Sequence, residues 1–233
     1  MLPKYIEKLQ QDLTKDHVDS EKHVDLLNEL AFITRGYGIL EERIYAEKAF
    51  HLASQIQYLP GIAQAQVHMA FNKIYFDGDF EGALQLIWSA RQTSLKADFN
   101  EAFVHSLVLE GLISWNLGQY ERAFNLVAQA LDSQYQVNQA LLLAWGNYVM
   151  GSFYLELKDY DDALSYHLTA LQYFEQTNDH GARHNGFRLR CYLSCFGQIG
   201  LGHRHPPPSH RNGKEASHFQ PRSKSFARIR GGV

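Results

Sequence analysis

Two cysteines and two histidines near the end of the chain have the residue types of a metal site. Cys191 and Cys195 are four residues apart, which places both thiols on one face of a helix, and His203 and His205 follow. A zinc site needs four converging ligands at a recognised spacing, and the prolines at 206–208 crowd the histidines without producing one. The sequence therefore favours structural thiols over a metal site and predicts no cofactor.

Catalytic patterns are missing from the sequence. There is no nucleophile elbow, no phosphate-binding P-loop, no H-E-x-x-H pair and no dinucleotide fingerprint. The "DGD" at 77–79 lacks the twelve-residue ligand series of a calcium loop, and Phe80 soon resumes a helix. Six of the twelve histidines are scattered through predicted helices, where a solvated or half-buried role is ordinary: His17, His23, His51, His68, His105 and His167. We therefore predict that the chain is not an enzyme.

Small residues repeat at a regular spacing along the chain. Alanines occur in pairs seven residues apart, and the last three pairs follow one another at forty residues: Ala46 and Ala53, Ala83 and Ala90, Ala123 and Ala130, Ala163 and Ala170. Phe80, Tyr120 and Tyr160 stand three residues before the last three pairs, and Gly111 and Gly151 stand twelve residues before two of them. Small residues on one helical face allow a second helix to approach closely. The pattern predicts packed helices.

Short breakers divide each forty-residue unit into two helices. They read "DGD" at 77–79, "LGQ" at 117–119 and "LKD" at 157–159, where glycine can end one helix and aspartate can cap the next. The predicted helices are 3–15, 21–36, 40–58, 61–77, 80–97, 100–117, 120–136, 139–157, 160–177 and 183–199. A single hairpin cannot bury its apolar face alone, so stacking supplies the core. The predicted fold is all-α, an α-solenoid of antiparallel hairpins.

Charge and periodicity divide the chain into three parts: a helical lead-in over 1–20, a repeat domain over 21–199 and a basic tail over 200–233. The tail has seven Lys or Arg and one Glu, a charge of +6. Because the whole chain has a net charge of −3, residues 1–199 carry −9. Lacking helical periodicity, the tail is predicted to be disordered. Two other interpretations stay open: contact with nucleic acid, which we do not favour, and a truncated or frame-shifted end of a longer gene.

The repeat domain is predicted to contain four full units and a partial fifth. The helix over 183–199 has no partner helix after it, so it would expose an apolar face for self-association or for an absent domain. No apolar run approaches the roughly 18 residues of a membrane span, and the first residues are polar. We expect a cytoplasmic protein that does not bind membranes.

These hairpins resemble the tetratricopeptide repeat, whose usual unit of 34 residues has small residues at its eighth, twentieth and twenty-seventh positions. The forty-residue period, with "LLNELAFITRG" at 26–36 followed by "AEKAFHLASQ" at 46–55, resembles the longer unit found in bacterial signalling proteins. There the arrays precede cyclase, histidine kinase or DNA-binding domains. The resemblance covers residues 21–196. It implies a protein-interaction scaffold or sensory module, or alternatively the sensory fragment of a larger signalling enzyme.

The resemblance also implies a concave groove, lined by the first helix of each hairpin, that binds a protein or peptide. Carried onto this sequence, the groove positions are Asn28, Arg35, His68, Asn72, Tyr75, Phe76, His105, Leu112, Trp115, Asn116, Trp145, Tyr148, Ser152 and Glu156. Aromatic and adaptable polar side chains are typical of peptide-binding hot spots. Helix packing would equally bury Trp115, Tyr75 and Tyr148. A clamp for a terminal carboxylate is not expected, because His68, Val108 and Tyr148 occupy the main lysine position.

Overall fold

The described residues of the chain fold entirely as helices. A computed structural model describes residues 4–15, 20–34, 39–132 and 140–176, and within these ranges there are nine α-helices and no strand. They are α1 (Lys4–Lys15), α2 (Glu21–Ile33), α3 (Ile39–Gln55), α4 (Leu59–Asn72), α5 (Phe80–Ala97), α6 (Asn100–Asn116), α7 (Tyr120–Leu131), α8 (Ala140–Glu156) and α9 (Tyr160–Gln176). None of these helices is both long and apolar enough to cross a bilayer. The all-α solenoid prediction is confirmed.

Several sequence predictions concern residues outside the described ranges. These are the helix over 183–199 with its two cysteines, the tail over 200–233, and Arg35. Among the described residues, the largest difference from a predicted boundary is at α7, which ends at Leu131 rather than at 136 because Asp132 takes an extended backbone, with φ −67° and ψ 133°. Aspartate and serine compete with helical hydrogen bonds through their own side chains, which accounts for the early end.

The turns inside the hairpins use left-handed residues, as the breaker pattern predicts. Gly78 and Gly118 have φ values of 64° and 72°, and Lys158 takes the same conformation in the third turn at 61°. Asp79 then caps α5, because its Oδ1 accepts a hydrogen bond of 2.8 Å from the Gly82 backbone N–H. These turns make α4–α5, α6–α7 and α8–α9 antiparallel pairs.

The repeated small residues lie at helix contacts. All eight alanines of the pattern are at most 3% exposed. A Cβ added at Gly111 would lie 2.6 Å from Val127 Cγ2 and 3.2 Å from the Ala123 carbonyl oxygen, and one at Gly151 would meet the His167 ring at 2.8 Å. The aromatic companions Phe80 and Tyr120 are half-buried and Tyr160 is exposed. The small residues therefore give α7 and α9 room to approach α6 and α8.

The hairpins stack with their first helices in sequence. The inner helices α2, α4, α6 and α8 contact one another in that order, and each packs on its outer partner. Arg43 Nη2 lies 2.5 Å from Asp77 Oδ2, and Trp115 Nε1 donates a 2.6 Å hydrogen bond to Glu156 Oε2. Both contacts join the turn of one hairpin to the turn of the next, so the turns share one side of the solenoid, which we call the turn edge.

Helix α4 continues into a π-helical turn over Lys73–Asp77, and this turn accommodates one residue more than the end of α6 does. Ala70 is fully buried 41 residues before Gly111, whereas Ala83 precedes Ala123 by 40. Twelve residues before Ala83, the spacing at which Gly111 and Gly151 precede their alanines, the sequence has Phe71; the extra residue shifts this place by one, so Ala70 is the small residue at that contact.

A buried carboxylate connects three helices. Glu110 of α6 is 7% exposed, and its two oxygens lie 2.5 Å from Arg91 Nη1 of α5 and Arg122 Nη2 of α7. Arg91 Nε also donates to Ser106 Oγ at 2.8 Å. Because Arg91 and Arg122 belong to consecutive hairpins, this cluster fixes the second hairpin against the third.

Candidate functional site

Five aromatic side chains of the inner helices form a surface that is partly open to solvent. We call Phe71, Tyr75, Phe76, Trp145 and Tyr148 the aromatic surface. The Phe71 ring lies 4.3 Å from Tyr75, 6.4 Å from Phe76 and 6.2 Å from Trp145, measured between ring centroids. Tyr75, Phe76 and Tyr148 are 51%, 38% and 42% exposed. Since Phe71 is in α4 and Trp145 in α8, the surface bridges the second and fourth hairpins.

Buried rings pack against the core side of this surface. His68 and His105 are at most 1% exposed, and their ring centroids are 5.8 Å apart. The Trp145 ring meets His105 edge-on at 5.0 Å, and Phe32 contacts both histidines at about 6 Å. Packing on several sides fixes the orientation of Trp145, so the surface is rigid before any partner arrives.

Trp115 belongs to the core rather than to an open groove. It is 8% exposed, and its ring stacks on Phe153 with centroids 4.2 Å apart and planes 3° from parallel. Tyr120 and Phe124 of α7 meet it edge-on. Its indole N–H donates a hydrogen bond to Glu156 at the turn edge. Glu156 itself is exposed.

The remaining predicted groove residues divide by burial. Asn28, His68, Asn72 and His105 are buried, and Asn28 Nδ2 donates to the Gly61 carbonyl oxygen at 3.2 Å. Leu112 and Ser152 are half-buried, and Asn116 is exposed. The π-helical turn explains the position of Asn72, because the extra residue rotates it from the groove place of Leu112 to that of the buried Ile113, whereas His68 is buried as its counterpart Val108 is. Phe71 was missed for the same reason, since only the bulge brings it to the groove.

A separate polar recess lies between α4 and α5. Its volume is about 450 Å³, and its lining residues are Gln66, Lys73, Asp79, Glu81, Gly82, Gln85, Leu86 and Ser89. Lys73 Nζ lies 2.5 Å from Asp79 Oδ2, and Gln66 Nε2 donates to Ser89 Oγ at 2.8 Å. Lys73 and Asp79 at its rim pair with each other, and the recess shares no residue with the aromatic surface.

His167 lies beneath Tyr148 and titrates abnormally. Its ring is 5.4 Å from the Tyr148 ring and against Gly151, and burial lowers the pKa of His167 to about 4 from an ordinary 6.5. Because the folded-state pKa is lowered, the unfolded chain takes up the proton first as pH falls. The stabilisation is complete above about pH 6.5 and is lost towards pH 4.

We expect His167→Phe to remove this part of the pH dependence. In the unaltered chain, we expect protonation of His167 to lower the free energy of unfolding by about 3 kcal/mol as the pH falls from 6.5 to 4. Denaturant unfolding at half-unit pH steps measures it, and exposed His51→Phe is the control for loss of a histidine. Equal slopes for the His167 variant and the unaltered chain in this window would contradict the assignment.

The fold and this surface define the class of the chain, an all-α solenoid of helical hairpins with an aromatic inner face. The crystal structure of BtubC (BKLC) from P. vanneervenii is similar, with 16% identical residues and a TM-score of 0.50, over 89% of this chain and 92% of that chain. At this identity the similarity shows the fold alone. No protein-family model matches the chain, and no curated protein matches it.

Proposed function

We propose that this chain is a non-enzymatic, cytoplasmic interaction module of the tetratricopeptide type that binds a peptide or partner domain on its aromatic surface. The observation that carries the proposal is the exposure of Tyr75, Phe76 and Tyr148, each 38–51%, on inner helices whose other large apolar side chains are mostly buried. Exposed aromatic rings that pack against buried side chains are typical anchors of a binding hot spot.

The geometry supports binding without rearrangement of the protein. Phe71 joins Tyr75, Phe76 and Trp145 into one surface, and His105 packs edge-on against Trp145. Tyr148 follows Trp145 by three residues on α8. A receptor that is already ordered loses little conformational entropy when its partner docks. Tyrosines also offer a hydroxyl beside each apolar ring, which suits an extended peptide with both apolar and polar groups.

Selection from a random peptide library displayed on phage tests the proposal with the full chain. We expect enriched peptides whose affinity, measured by fluorescence anisotropy, falls about tenfold or more in the double variant Tyr75→Ser, Phe76→Ser and in Tyr148→Ser. Trp88→Ser is the matched control, since Trp88 is 68% exposed on the outer helix α5. Failure to enrich any peptide, or peptides that bind the groove variants as tightly as the unaltered chain, would refute the proposal.

A further inference from the structure

We infer that the aromatic surface is occupied by the chain's own basic segment, residues 200–233, which competes there with the partner. This inference rests on the proposed function of that surface. The first ground is the chemistry of the exposed rings. Tyrosine and phenylalanine faces attract arginine side chains, and the segment supplies five arginines, two lysines, Phe219 and Phe226.

The second ground is charge next to the rings. The hairpin turns and adjoining helix ends over 73–81, 117–122 and 156–162 carry eight acidic and three basic side chains, a net −5 at the turn edge. At the opposite side of the solenoid, 54–62 and 94–102 together carry two acids and one base. Tyr75 and Phe76 lie within the segment 73–81, which carries three acidic side chains and one basic one; Asp77 and Asp79 pair with Arg43 and Lys73, and Glu81 is exposed. The segment 200–233 has the complementary charge of +6.

Helix caps account for part of this acidity, because aspartate and glutamate are favoured in a first helical turn. They do not account for Tyr75 and Phe76, which lie in the same turn and keep large exposed faces. The coincidence of exposed rings and negative charge on the same side selects a basic occupant over an acidic or purely apolar one.

The third ground is connectivity. Gln176 ends α9, and Arg204 follows 28 residues later. That length of chain spans at most about 95 Å, several times the roughly 25 Å length of a 17-residue helix, so the segment can reach the turn edge. A tethered segment competes at an effective concentration near the millimolar range, which favours it over a free basic peptide of equal affinity.

Zero-length carbodiimide cross-linking of the full chain tests this inference. The reagent joins a lysine to a carboxylate only when they touch, and the segment contains Lys214 and Lys224. We expect links within one chain from these lysines to exposed turn-edge carboxylates, identified by mass spectrometry after isolation of the monomer. Glu81, Glu121 and Asp161 are the expected partners.

Two variants separate docking from random contact. Arg222→Glu with Arg228→Glu and Arg230→Glu keeps both lysines, and Tyr75→Ser with Phe76→Ser keeps every carboxylate; each should lower the yield of these links about fivefold. Trp88→Ser should leave the yield unchanged. Links to Asp98 and Glu101 at equal yield, links only between two chains, or a yield that neither variant changes would overturn the inference. The peptide selection above is read separately, so a groove that binds peptides without these links refutes only the occupant.

Discussion

Trp115→Ala is expected to lower the free energy of unfolding by about 3–5 kcal/mol. The indole is 8% exposed, stacks on Phe153 and contacts Tyr120 and Phe124, so its removal opens a cavity where α6, α7 and α8 meet. It also leaves Glu156 without its indole donor. Denaturant unfolding followed by circular dichroism measures the loss.

Trp88→Ala is the control for that experiment, since it removes the same side chain from an exposed position on α5. We expect a change within about 0.5 kcal/mol for it. Equal losses for the two tryptophans would show that Trp115 is not part of the packed core. For studies of binding, the expected instability means that Trp115 variants report folding, and the exposed rings are the better probes.

Glu110→Ala is expected to cost about 3–5 kcal/mol of stability, because it leaves two guanidinium groups without their shared carboxylate, one of them largely buried. Arg122→Ala should cost less than about 1 kcal/mol, since the Arg122 side chain is 58% exposed and solvent replaces its contact. Urea unfolding at neutral pH measures both.

A double variant, Arg91→Met with Glu110→Leu, distinguishes charge from packing. Apolar side chains of similar volume remove the desolvation cost of both ions. We therefore expect the free energy of unfolding of the double variant to exceed that of Glu110→Ala by about 2 kcal/mol. A double variant less stable than Glu110→Ala, or an Arg122→Ala variant as damaged as Glu110→Ala, would contradict the role assigned to the cluster.

The sequence predicts the hairpins because their determinants are local. Alanines spaced by seven, together with left-handed glycines at Gly78 and Gly118, define which faces meet and where helices turn, and the structure has them so. The position of α4 relative to the groove depends instead on one extra residue in a π-helical turn, which leaves the residue types of the pattern unchanged. That is why Asn72 is predicted at the groove and is buried.

The polar and aromatic contacts between hairpins were not predictable from spacing. Glu110 pairs with arginines 19 residues before it and 12 after it, and no periodic pattern selects these partners among the other charges. Trp115 and Tyr148 both lie on inner helices, yet one is stacked in the core and the other is 42% exposed. The difference arises from the rings that neighbouring helices present, which are fixed only when the hairpins have stacked.

A solenoid whose repeats contact only their immediate neighbours is extended by small changes at each interface. The contact of Phe71 with Trp145 joins the second hairpin to the fourth across the third, so extension of this stretch must separate two rings as well as two neighbouring interfaces. The contact of Phe32 with His105 joins the first hairpin to the third in the same way, so hairpins one to four resist extension together.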